Sequence, residues 1–167
     1  EALYFNQKLE YLPDGIEELE FNPESIFNSD LSNLPSSIKK ITLGAKYNLP
    51  LNCLPSGLEY LKICSSYNQE IQVFPNNLKY LFFYKFNNDI YTFGNFNDDE
   101  QIKYSYDWKI TNLPQNLIGI RYPYNYQFPI EKIPESIKII HITNDYKFIK
   151  DLKNNYPNIK IYEYPDT

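Results

Sequence analysis

Residues 54–73 read LPSGLEYLKICSSYNQEIQV, and the pair Phe74-Pro75 opens the stretch that follows. Three apolar residues come three, six and eight positions after Pro55: Leu58, Leu61 and Ile63. An aromatic-Asn pair, Tyr67-Asn68, puts its Asn seven residues before Pro75, with Ile71 three residues further on. These are two independent keys, and each can be tested up and down the chain.

Both recur. The anchors are Leu12-Pro13, Leu34-Pro35, Leu54-Pro55, Phe74-Pro75, Leu113-Pro114 and Ile133-Pro134, with prolines spaced by 22, 20, 20, 39 and 20 residues. The spacing of 39 is close to two periods, and Phe93-Gly94 divides it into 19 and 20 as a worn anchor. The apolar triplets are Ile16, Leu19, Phe21; Ile38, Ile41, Leu43; Leu78, Leu81, Phe83; Leu117, Ile120, Tyr122; and Ile137, Ile140, Ile142. The worn unit has Asn97 and Glu100 at the first two positions and recovers at Ile102. The second key gives Phe5-Asn6, Phe27-Asn28, Tyr47-Asn48 and Phe86-Asn87, then Tyr106-Asp107 and Tyr126-Gln127. On this count the chain holds seven coils.

The chemistry of the unit sets its shape. Apolar residues at plus six and plus eight alternate, as on a short strand with one buried face. Proline cannot donate to a strand ladder, so it belongs in the connection. A coil of ~20 residues leaves little room for a helix on its back. The Asn amide both donates and accepts, so stacked coils can form an Asn ladder that stabilises turns. Each strand is buried only by its neighbours. The expected fold is therefore a mainly β solenoid of parallel strands, with a sheet about 30 Å long.

The ends differ from the middle. Residues 1–11 form the second half of a coil, so the reading expects an upstream segment to cap them, and a chain without Met to be part of a longer product. Over Phe148 to Tyr156, the residues Ile149, Leu152 and Tyr156 fall at helical spacing, and Pro157 stops the helix. A short strand follows over Ile159 to Glu163, with Ile159 and Ile161 on one face. This divides the chain into a solenoid, residues 1–147, and a C-terminal cap, residues 148–167.

Composition bounds the function. The 167 residues include 17 Tyr, 11 Phe and 43% hydrophobic residues, enough for one domain with a ring-rich core. A net charge of −5 argues against a nucleic-acid partner, which needs a basic footprint. No apolar run is long enough to span a membrane, and no signal peptide opens the chain. Cys53 and Cys64 occupy different repeat positions, which predicts different faces and no disulfide; with no Asn-x-Ser/Thr sequon, this points to the cytoplasm.

The combined unit, LPxx[LI]xx[LI]x[FLI] followed by [FY]N and an aliphatic residue, resembles the FNIP repeat. That family is a leucine-rich-repeat variant abundant in social amoebae and in giant viruses of amoebae. The best matches are Phe5-Asn6-Gln7-Lys8-Leu9, Phe86-Asn87-Asn88-Asp89-Ile90 and Tyr126-Gln127-Phe128-Pro129-Ile130, the last with Gln127 in the Asn place. The resemblance runs from about residue 3 to residue 147. It implies a leucine-rich-repeat-like coil with its strands on a concave face, and a protein partner. Members that join these repeats to F-box-like domains further imply a substrate-recognition part of an F-box-type adaptor, in the host cytoplasm if the source is viral. Bacterial effector leucine-rich repeats share the Leu-Pro unit but fit the aromatic-Asn key less well.

In such a coil the residues five, seven and nine after each proline face the concave surface. The worn coil would place Asp99, Gln101 and Lys103 there. Tyr60, Tyr80, Phe82 and Tyr84 gather on adjacent strands as an aromatic strip, rimmed by Arg121 and His141. Exposed rings of this kind mark binding sites. The alternatives are cross-strand packing alone, a carbohydrate site or self-association. An enzyme is not expected: His141 is the one histidine and has no partner at a recognised spacing. No cofactor or metal is expected either, since the acidic run Asn97-Asp98-Asp99-Glu100 lacks the EF-hand pattern.

Overall fold

A computed structural model describes residues 5–85 and 106–165. Seven strands follow in chain order: β1 (Glu18–Glu20), β2 (Lys40–Thr42), β3 (Tyr60–Cys64), β4 (Tyr80–Tyr84), β5 (Gly119–Arg121), β6 (Ile139–Thr143) and β7 (Lys160–Tyr164). One helix, α1 (Ile149–Asn155), lies between β6 and β7. The strands form one sheet in sequence order, every pair parallel. The plus-six residues line up in register across it: Leu19, Ile41, Leu61, Leu81, Ile120, Ile140, then Ile161 of β7. From Ile41 to Ile140 that row is wholly buried. The expected parallel solenoid is the fold, at about 20 residues per turn.

The count of coils needs correction. β4 pairs directly with β5, Tyr80 opposite Gly119, so no coil is stacked between the Phe74 and Leu113 anchors. The side-chain ladder makes the same step, because Asp107 N–H donates to Asn68 Oδ1 at 2.9 Å. The spacing of 39 separates two neighbouring strands of the sheet, and the stack has six turns. A polar Asn97 and Glu100 at core positions would each leave a buried polar group in a stacked coil. The worn anchor itself, with Phe86-Asn87 and the acidic run, lies outside the described residues.

The two keys have separate tasks. The carbonyls of Pro35, Pro55, Pro75, Pro114 and Pro134 accept from the N–H three residues on, at 3.1–3.2 Å. Each of these five anchors is thus a turn that pins the buried plus-three residue, as at Ile38 and Leu58. Proline suits its first position because its missing N–H is not needed there. The aromatic key forms a spine. Phe5, Phe27, Tyr47 and Tyr67 stack nearly parallel, with centroids 6.0, 6.1 and 6.4 Å apart. Tyr126 and Tyr146 add polar ties: their hydroxyls accept from the N–H of Ile110 and Ile130 at 3.1 and 3.2 Å. The Asn ladder is present. Asn28, Asn48 and Asn68 N–H donate to Asn6, Asn28 and Asn48 Oδ1 at 2.7, 2.9 and 2.8 Å. Further on, Gln127 Oε1 accepts from Lys147 N–H at 3.3 Å.

The last turn is closed by α1, which buries Leu152 and packs Phe148, Ile149 and Tyr156 on the core. Its other residues, Lys150, Asp151, Lys153, Asn154 and Asn155, face water. At the other end Phe5, Leu9, Leu12, Ile16, Leu19 and Phe21 are only partly buried. Their counterparts one turn on, such as Phe27, Leu31, Ile38 and Ile41, are buried.

Candidate binding surface on the open face of the sheet

Alternation along each strand decides what reaches the open face. In β3 and β4 the plus-six and plus-eight residues are buried, while Tyr60, Lys62, Tyr80 and Phe82 remain half-buried on the opposite side. Tyr80 and Phe82 stack at 6.1 Å with their planes 9° apart. Tyr60 lies 6.4 Å from Tyr80 and 5.5 Å from Phe82. The row continues past β5: Phe82 meets the edge of His141 at 6.5 Å, and His141 stacks on Tyr162 at 5.0 Å. Two features of β5 permit this. Gly119 leaves space for the Tyr80 ring, whose Cδ1 would stand 3.1 Å from a Cβ there. Arg121 turns away towards β7, its guanidinium 4.2 Å from the centre of the Tyr164 ring.

The structure therefore brings together Tyr60, Tyr80, Phe82 and His141 of the expected set. Arg121 borders them, with its Nε buried and without a hydrogen-bond partner among the described residues. Tyr84 is placed differently. Its hydroxyl donates to the Leu43 carbonyl, two turns back, at 2.8 Å, and its ring packs on Ala45 and Cys64. Small residues at the strand ends leave room for that ring, so Tyr84 is a clamp between turns. The same device recurs where Tyr164 donates to the Tyr122 carbonyl at 3.0 Å. Sequence reasoning passed over both clamps and Tyr162, which is 49% exposed. The signal for Tyr162 was available: alternation about Ile161 sends it to the open face.

Electrostatics vary along the sheet. Glu18 and Glu20 make the β1 end acidic, and Glu18 accepts from Lys40 Nζ at 3.3 Å, which raises the Lys40 pKa. Lys62 Nζ sits 4.8 Å over the Tyr84 ring. Burial, then the charge of Arg121, holds His141 below the ordinary imidazole value of 6.5, so the ring is neutral at neutral pH. Among the described residues no cluster of His, Cys, Asp or Glu has the make-up of a metal site. Cys53 is exposed and Cys64 buried, and the two form no disulfide with each other. A cavity of about 510 Å³ beside Leu54, Val73 and Phe74 lies among the connections, not on the open face. Among the described residues no helix is long and apolar enough to cross a membrane.

The FNIP repeat family model matches residues 5–46, 27–66 and 47–86. The match ends at residue 86, short of the expected residue 147, although the later turns keep the geometry of the earlier ones. The fold is similar to the crystal structure of CroV588, a circular leucine-rich-repeat protein from a giant virus, with a TM-score of 0.63 and 22% identity. That alignment covers 96% of this chain and 29% of the other, so the chain spans under a third of the viral protein's length. No curated protein matches the chain.

Proposed function

We propose that this chain, whose residues 5–86 belong to the FNIP repeat family, is a protein-interaction scaffold that seats a partner on the open face of its sheet. One observation carries the reading. A continuous row of rings crosses from β3 to β7, and Tyr162 at its end is exposed although the fold has a core to put rings in. Tyr and Phe on a rigid sheet offer large contact area with little side-chain entropy to lose. The partner-binding residues are Tyr60, Tyr80, Phe82 and His141, with Arg121 at the rim and Tyr162 added. Tyr84 serves the fold instead.

No catalytic role is assigned: among the described residues His141 is flanked by the rings of Phe82 and Tyr162 and by the charge of Arg121. Cysteines that form no disulfide with each other accord with the cytoplasm, the host's if the source is viral. The finer assignment, the recognition part of an F-box-type adaptor, rests on the family resemblance alone.

Affinity capture with the full-length product tests the reading. Tyr80→Ala with Phe82→Ala should remove the partner while the unfolding transition stays cooperative. Capture that persists in that variant, or a glycan signal that replaces all protein partners, contradicts it. Recovery of an F-box protein in the same experiment supports the adaptor role, and its consistent absence removes that role.

A further inference from the structure

We infer that the open face from β3 to β7 takes an acidic segment of a protein partner, its carboxylates meeting Lys62 and Arg121 with an apolar side chain between them on Phe82. This rests on the open face being the partner's seat, as proposed above, and adds the chemistry of what sits there.

The chain carries a net charge of −5, yet charge on this face is sorted. The acids at its described strand positions are Glu18 and Glu20, both on β1. From β2 to β7 the plus-five and plus-seven positions hold Lys40, Lys62, Arg121 and Lys160, the imidazole of His141, and no carboxylate. An acidic protein with a cationic stripe beside its half-buried rings has a surface complementary to carboxylates.

The register gives the spacing. Lys62, Phe82, Arg121, His141 and Tyr162 lie opposite one another in a single row. At ~4.8 Å per strand, the backbones that carry the two cations stand about 10 Å apart, with Phe82 on the strand between them. Each cation is steadied by an aromatic face, Lys62 over Tyr84 at 4.8 Å and Arg121 over Tyr164 at 4.2 Å. Neither is ion-paired with a carboxylate among the described residues. Rings do not consume the hydrogen-bonding capacity of a cation, so donors remain for an acidic ligand. Partial burial strengthens such a charge-assisted bond. A basic segment would meet like charge at Lys62, Arg121 and Lys160. A nucleic-acid strand would meet the same cations, but its continuous phosphate charge would also face Glu18, Glu20 and a net-negative body.

The test uses the whole chain and a fluorescent dodecapeptide with glutamates flanking a central phenylalanine. Its counterparts carry glutamine or lysine in place of glutamate, and a single-stranded oligonucleotide serves as competitor. The glutamate peptide should bind about tenfold more tightly than the glutamine peptide, with a preference that shrinks in high salt. Lys62→Gln and Arg121→Gln should each remove most of that preference; Lys62→Gln guards against a folding defect from loss of the Arg121–Tyr164 contact. Equal binding of the three peptides, a preference that survives both variants, or displacement by the oligonucleotide at matched concentration overturns the inference. If all three peptides bind alike but are lost in Phe82→Ala, only the acidic chemistry fails. If glutamate binding ignores Phe82→Ala, the seat itself is wrong.

Discussion

Asn48 shows how much one side chain contributes to joining the turns. Its N–H donates to Asn28 Oδ1 and its own Oδ1 accepts from Asn68 N–H. Asn48→Ala should cost about 1 kcal/mol in urea unfolding, while Asn48→Asp should cost less, since Asp107 already occupies a rung. Tyr84→Phe should also lose about 1 kcal/mol, through its bond to the Leu43 carbonyl, without affecting partner capture. A capture defect in Tyr84→Phe would return that residue to the site. Burial pushes the Tyr126 and Tyr146 hydroxyls up to about 12, from an ordinary 10.0. The unfolded chain therefore loses these protons first. Their contribution is complete below pH 10 and is lost as the pH rises towards 12, so urea midpoints should fall across that interval. The ladder was legible in sequence because an Asn at fixed phase bonds its own kind in the next turn. The Tyr84 clamp was not, because it depends on Ala45, Cys64 and a carbonyl two turns away.

At the level of the strand, the plus-six row is where turns depend on one another. Leu81 is wholly buried between Leu61 and Ile120. Leu81→Ala should cost 2–5 kcal/mol, the usual range for a buried Leu. In a nearest-neighbour stack the loss spreads to both flanks. Hydrogen exchange should therefore speed up in β3 and β5 as well as β4, and acceleration confined to β4 would contradict that coupling. Strand positions were legible from alternation, and so was α1, from Ile149, Leu152 and Tyr156. Strand lengths were less so. β5 stops at Arg121 while β4 runs to Tyr84, and Pro123, which stands where Tyr84 stands in its turn, has no N–H to extend the ladder.

For the molecule as a whole, period alone misjudged the number of turns. A spacing of 39 fits two coils by period, and the polar Asn97 and Glu100 at the first two core positions of the worn unit were the one sign in the sequence against a stacked coil. Direct pairing of β4 with β5 predicts that deleting residues 87–105, which restores a spacing of 20, leaves a folded protein with unchanged cooperativity. Collapse of that variant would contradict the six-turn stack. The open face was half legible: phase located Tyr60, Tyr80, Phe82 and His141, but not the way Gly119 and Arg121 let the row close over β5. Whether a partner sits on that row is tested most directly by site-specific photo-crosslinking in the cells that make the full-length product. Benzoylphenylalanine in place of Phe82 should yield a discrete protein adduct, and the same group in place of Val73, exposed among the connections, should yield none. An adduct at Val73 and none at Phe82 would contradict binding through the open face.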